Sequence, residues 1–213
     1  MSHHLTRFIP TLAAVCMAAA ACSAIPPRPP VEPTARVDTF AVLPTEAPEE
    51  SDSASGGAQL EAGALTLETL LTDRFKNRTE ARLVSRDQVE SVATAATGSR
   101  LMVAREIGAK LQVDGVLLST IHRFRLRNGD EYSADQPASV AFELQLLEVD
   151  SGRVLCNLVF DETQKPLLEN IFSFSRAAGR GFRWVTAEEL VAEGLNKKLD
   201  SCPYLPAGSS STP

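Results

Sequence analysis

The sequence predicts an α+β domain, a mostly antiparallel sheet with helices packed on it. Three observations carry this expectation. Three segments, Val116 to Leu126, Val140 to Leu146 and Val154 to Phe160, alternate in hydropathy with a period of two, the pattern of half-buried strands. Turn signals at Asn128-Gly129-Asp130 and Asp150-Ser151-Gly152 separate them, as hairpins require. Helix caps followed by apolar residues at helical spacing stand on both sides of this block, and they supply the layer that a sheet with one apolar face needs.

The chain begins with a segment outside that fold. A basic start, Met1 to Arg7, precedes an apolar run from Phe8 to Ala21, and the small residues Ala19, Ala20 and Ala21 stand directly before Cys22. That is the pattern of a secretory signal, with an apolar run too short to span a bilayer. A cysteine at this junction resembles a bacterial lipobox, with Ala19 where leucine is commonest. The resemblance implies that residues 1–21 are removed and that Cys22 carries lipid. Ordinary small-residue cleavage, giving a soluble periplasmic product, stays open as the alternative. Ser23 follows the cysteine, where an aspartate would resemble an inner-membrane retention signal. The expected location is therefore the outer membrane, lipid-anchored and facing the periplasm.

Residues 22–36 hold Pro26, Pro27, Pro29, Pro30 and Pro33 and read as an extended tether reaching on the order of 40 Å at ~3.1 Å per residue. One domain is expected over 37–202, with a flexible tail at 203–213. Val37 to Leu43 is the first strand, stopped by Pro44. The acid-, serine- and glycine-rich stretch 44–58 has no apolar period. It reads as a disordered loop, either an insertion or an acidic arm for a basic partner. Thr66 caps a first helix in which Leu67, Leu70, Leu71 and Phe75 share a face,. Ala81 to Val84 is a short strand. Ser85 with Gln88 is a capping-box pattern for a second helix carrying Val89, Val92, Ala93 and Ala96, closed at Thr97-Gly98,. Ser99 caps a third helix from Arg100 to about Leu111. Thr186 with Glu189 opens the last, with Val191, Leu195 and Leu199 on one face. The first two strands are free to join the sheet of the later three, which would make it mixed.

Within the sheet, alternation puts Val116, Leu118, His122, Phe124 and Leu126 on one face and Arg123, Arg125 and Arg127 on the other,. Val140, Phe142, Leu144 and Leu146 form the matching apolar set of the second strand, and Val154, Cys156, Leu158 and Phe160 that of the third. Arg123 is expected to pair with Glu143 across the hairpin. The competing use of the arginine stripe is an anionic glycan or lipid phosphate.

The net charge of −6 grows more negative once the signal leaves, because that segment holds Arg7 and no acid. An acidic exported protein is a poor candidate for binding nucleic acid. Cys16 leaves with the signal, so Cys156 and Cys202 remain to pair in an oxidising compartment,; a buried free thiol at Cys156 is the alternative. His122 is the only histidine beyond the signal and the two cysteines stand far apart, so no metal-ligand spacing is present and no cofactor is expected. P-loop, nucleophile-elbow and dinucleotide fingerprints are missing. Asp161 and Glu162 are adjacent on a strand, face opposite sides, and cannot act together as a glycosidase pair. The segment Ser175 to Trp184 combines Arg176, Arg180 and Arg183 with Phe182 and Trp184, the composition of a contact surface. Anchoring of that loop in the core by Trp184 is a compatible structural use.

The runs Asp114-Gly115-Val116, Pro137 to Phe142, Asp150 to Val154, Phe160 to Gln164 and Pro166 to Asn170 resemble a family of small lipoproteins of Gram-negative bacteria. The domain of that family is similar to the LpoB-type activators of peptidoglycan synthases, to the amino-terminal domain of the Tol propeller protein TolB and to the curli secretion lipoprotein. The resemblance spans about Val37 to Leu199. It implies a sheet with packed helices, no catalytic site and action through protein contacts in the periplasm. The short tether departs from the long ones of the synthase activators, which argues against direct activation of an inner-membrane synthase. The expected function is that of a non-enzymatic outer-membrane lipoprotein binding or scaffolding an envelope protein. A subunit of an oligomeric secretion-type assembly is one alternative, and a periplasmic hydrolase using Asp161 or Glu162 is the rival from another class.

Overall fold

The computed structural model describes residues 36–48, 54–93, 99–129, 134–164 and 185–205, all within the unit Ala35–Pro213. The signal, Cys22, the tether up to residue 35, the helix end at Thr97-Gly98, and Arg176, Arg180, Arg183 and Trp184 lie outside the described residues. The elements follow in the order β1 (Phe40–Val42), α1 (Ala54–Phe75), β2 (Ala81–Leu83), α2 (Arg86–Ala93), α3 (Arg100–Leu111), β3 (Gly115–Arg125), β4 (Asn128–Gly129), β5 (Ala134–Gln136), β6 (Ser139–Glu148), β7 (Val154–Thr163) and α4 (Ala187–Leu199). The main sheet has the order β2-β1-β3-β6-β7, and β4 pairs with β5 separately. β1 is parallel to both of its neighbours, while β3, β6 and β7 are antiparallel. The fold is thus α+β with a mixed sheet.

Topology explains why this sheet is covered on both faces, where sequence alternation had implied one. Parallel neighbours need crossover connections, which α1 supplies between β1 and β2, and α2 with α3 between β2 and β3. The first crossover steps one way across the sheet and the second steps back, so crossovers of one hand must lie on opposite faces. Accordingly Phe40, Leu117, Ile121, Phe124, Phe142, Leu144 and Phe160 form a core beneath Leu67, Leu71 and Phe75 of α1 and Leu190, Val191 and Leu195 of α4. Ala41, Val116, Leu118, Leu147 and Val149 form a second core beneath Val92 of α2 and Ala104 and Ile107 of α3. Helices approach closely where glycine faces the sheet: a Cβ on Gly63 would stand 2.5 Å from that of Phe124, and one on Gly194 2.8 Å from the Phe160 ring.

A register break between Ile121 and Arg123 corrects the reading of β3. His122 is the extra residue of this bulge, which shifts every later side chain by one position. Leu117 and Ile121 face the first core before the break and Phe124 faces it after, whereas Val116 and Leu118 face the second. His122 is exposed rather than set on the apolar face, and so is Leu126.

Three further boundaries differ. α1 starts at Ala54, and Thr66 lies inside it, its Oγ1 donating to Ala62 O at 2.8 Å instead of capping. Fully buried Ala64 and partly buried Leu60 pack on the first core, so burial holds the early turns despite Gly56 and Gly57. Of the stretch expected to be disordered over 44–58, Pro44 and Thr45 are buried, Glu46 bridges to Thr120 and Ala54 to Gly57 are helical; residues 49–53 lie outside the description. At the other end Tyr204 and Leu205 pack on the first core, past the expected limit at Cys202. Cys202 is joined to Cys156 of β7 by a disulfide, which holds this turn against the sheet. The local caps follow the sequence more closely. Ser85 N donates to Gln88 Oε1 at 2.9 Å, and Thr186 with Glu189 makes the reciprocal box of α4. Ser99 occupies the N-cap of α3 without a side-chain bond.

Candidate contact surface

Beyond the row of Leu118 no described helix covers the second face of the sheet; there Val159, Asp161 and Thr163 of β7 are exposed, while Ser139 and Ala141 of β6 are buried. Paired residues of an antiparallel ladder share a face, and the pairing sets Leu118, Gln145 and Asn157 in one row, Thr120, Glu143 and Val159 in the next, then Arg123, Ala141 and Asp161, then Arg125, Ser139 and Thr163. The apolar core ends at the first of these rows. Beyond it the face is polar apart from Ala141 and Val159, and Val159 is 52% exposed.

His122, Glu143, Arg123 and Asp161 on this face are held in pairs. His122 Nε2 lies 3.5 Å from Glu143 Oε2, and Gln145 Nε2 donates to Glu143 Oε1 at 2.8 Å. Arg123 makes an ion pair with Asp161, and its Nε donates to Ser139 Oγ at 2.7 Å. The expected Arg123–Glu143 pair is therefore replaced, because the bulge places His122 beside Glu143 and carries Arg123 on to Asp161. Asp161 is aligned with Ala141 and Glu162 with Val140, so the two acids stand on opposite faces. Among the described residues no group of three or more His, Cys, Asp or Glu side chains could hold a metal ion.

Arg100 marks the border between the covered and open halves. From the first turn of α3 its Nη2 donates to Ser119 O at 2.7 Å, its Nη1 donates to Thr120 Oγ1, and its Nε lies 2.8 Å from Glu46 Oε2. Burial pulls the guanidinium below its ordinary pKa, and Glu46 opposes that pull; an arginine stays charged nonetheless. A companion link runs from Arg86 Nη2 to Glu68 Oε2 at 2.8 Å, and Thr45 N donates to the same oxygen at 3.1 Å.

Two clasps that sequence reasoning missed fix the ends of the domain. Val185 N donates to Gln164 Oε1 at 3.0 Å, and Gln164 N donates to Ala138 O at 3.0 Å. The two ends of 165–184, the segment that carries the candidate residues Arg176, Arg180, Arg183 and Trp184, are thereby held together where β7 ends. At the start of β3, Asp114 Oδ2 accepts from Asp38 N at 3.1 Å, Thr39 N at 2.8 Å and Thr39 Oγ1 at 3.0 Å. Asp114 had been singled out only as part of a resemblance; its role, pinning the chain as it enters the domain, needs a partner 75 residues away and has no local signature.

No protein-family model matches the sequence, and no curated protein does. Solved structures similar to the chain include the PelC dodecamer from Paraburkholderia phytofirmans, at 16% identity over 76% of this chain and 86% of that one, with a TM-score of 0.41. Lipoprotein GNA1162 from Neisseria meningitidis matches at 12% identity over 67% of this chain and 96% of that one, with a TM-score of 0.36. The carboxy-terminal domain of LpoB from Escherichia coli matches at 14% identity over 62% and 87%, with a TM-score of 0.32.

Proposed function

We propose that the protein is a non-enzymatic outer-membrane lipoprotein, anchored through Cys22, that binds an envelope protein partner in the periplasm. The observation that carries this reading is the separation of two ends. The chain enters at Arg36 to Thr39, pinned by Asp114, whereas the open polar rows and the Gln164–Val185 clasp lie at the far end of β3. At ~3.3 Å per residue, the 11 residues of β3 set these ends roughly 36 Å apart. The sequence between Gln164 and Val185 carries Arg176, Arg180, Arg183 and Trp184, residue types enriched at the hot spots of protein interfaces. The paired charges of the open face add a polar, desolvatable rim.

The hydrolase reading loses its support from the same geometry. Asp161 is engaged by Arg123 and Glu162 stands on the other face, so the two cannot act as a pair on one substrate.

The test places a photo-crosslinking residue at His122 and compares in-cell adducts of the parent with those of Arg176→Ala/Arg180→Ala/Arg183→Ala. The triple variant is expected to melt within a few degrees of the parent and to lose an adduct of defined mass. A folded triple variant that keeps every adduct overturns the loop's role. Cys22→Ser is expected to move the protein out of the membrane fraction.

A further inference from the structure

β7 lies at the edge of the main sheet and pairs only with β6. The direction of its backbone groups follows from one hydrogen bond, Gln164 N to Ala138 O on the β6 side. Successive residues of a strand direct their N–H and C=O groups to alternate sides. Cys156, Leu158, Phe160 and Glu162 therefore bond toward β6, and Asn157, Val159, Asp161 and Thr163 point outward. Among the described residues no strand pairs with this outer row. Of the devices that blunt an edge, proline, lysine and a bulge are missing from 156–163, whose charges are the acids Asp161 and Glu162; the one register break with β6 lies beyond it, between the pairs at Cys156 and Val154.

We propose that β7 is the pairing edge for a second copy of this chain, with two β7 strands meeting antiparallel about a twofold axis at Val159. Side-chain chemistry selects both the occupant and the register. Outward-pointing residues must oppose one another, so only odd-numbered positions pair with odd-numbered ones. Centring on Asp161 sets two carboxylates face to face, which is destabilising. Centring on Asn157 runs the ladder into the register break. A shift of one pair from Val159 opposes that valine to Asp161 or to Asn157, an apolar group against a polar one. Centring on Val159 buries the two exposed valines against each other and sets Asn157 of each copy opposite Asp161 of the other, twice. The carboxylate of Asp161 keeps its ion pair with Arg123 and still has lone pairs for the incoming amide. Such an isologous contact closes after two copies.

Sedimentation equilibrium of the full chain carrying Cys22→Ser is expected to show a concentration-dependent dimer. Val159→Pro removes an outward-pointing N–H, a substitution that edge strands tolerate, and is expected to leave the monomer with an unchanged melt. Val159→Cys reports independently of that variant. Opposed residues of such a pair have Cα atoms ~5.5 Å apart, within disulfide range, so oxidation should yield a covalent dimer. Asn157→Cys alone should give none, whereas its mixture with Asp161→Cys should crosslink. A full chain that stays monomeric at every concentration, or self-crosslinking of Asn157→Cys as fast as that of Val159→Cys, overturns the proposal. Neither result bears on the arginine loop, whose test reads adducts to other proteins.

Discussion

The first face of the sheet is core from end to end, whereas the second is core for half its length and polar for the rest. Helix length accounts for the difference. α1 has 22 residues and at ~1.5 Å per residue runs about 33 Å, close to the length of β3. α3 has 12 residues, reaches about 18 Å, and ends its cover at the row of Leu118. Where no described helix follows, the polar side chains satisfy one another in pairs, His122 with Glu143 and Arg123 with Asp161, while Arg100 at the border is held by Ser119 O, Thr120 and Glu46. How far a covering helix extends thus decides which part of a sheet is free for contact.

Substitutions on the two faces should separate them by size of effect. Phe142 is fully buried and stacks on Phe160 with ring centroids 5.1 Å apart; Phe142→Ala should cost about 3–5 kcal/mol, read as a lower urea midpoint at constant slope. A loss under ~1 kcal/mol would mean that the first face is not the continuous core described. Next in size is the disulfide that ties the first face to the chain end. Cys156→Ser with Cys202→Ser should cost about 2–4 kcal/mol, and two free thiols titrated in the unfolded, unreduced parent would remove the bridge from the account.

At the border, Arg100→Ala strips the partners of Ser119 O, Thr120 Oγ1 and Glu46, and should cost about 1–3 kcal/mol. An effect as large as that of Phe142→Ala would show that the second face depends on its polar half as the first depends on its core. His122→Ala is the smallest, since the ring is exposed and its partner Glu143 is also held by Gln145. It should change stability by less than ~0.5 kcal/mol. A loss several times larger in thermal melts would return His122 to a buried position and erase the bulge from the contrast between faces.

Much of the fold was legible because its signals are short in range. The capping boxes at Ser85 and Thr186, the alternation of Val140 to Leu146 and the turn at Asp150-Ser151-Gly152 each act over a few residues, within which backbone hydrogen bonding and side-chain period decide the local conformation. The contact surface was less legible. Arg123 and Asp161 were both singled out, but for different uses, and the link between them passes through a bulge that alternation cannot register. The early turns of α1 escaped for a related reason: Gly63 and Ala64 are weak helix formers or small, and their value lies in letting Phe124 and the first core approach.

The sequence by itself determined the order of the main strands and helices, the capping boxes at Ser85 and Thr186, the turn at Asp150-Ser151-Gly152, and the pair of cysteines available for a bridge. Only the tertiary structure decided that the sheet has two cores, that His122 bulges outward, that Gln164 closes the base of 165–184, and that β7 presents Asn157, Val159, Asp161 and Thr163 along an unpaired edge. The physical reason is range. Caps, periods and turns are energies between neighbours in the chain, while crossovers, bulges and edges are set by which strand lies beside which, a choice made by burying apolar surface across the whole domain.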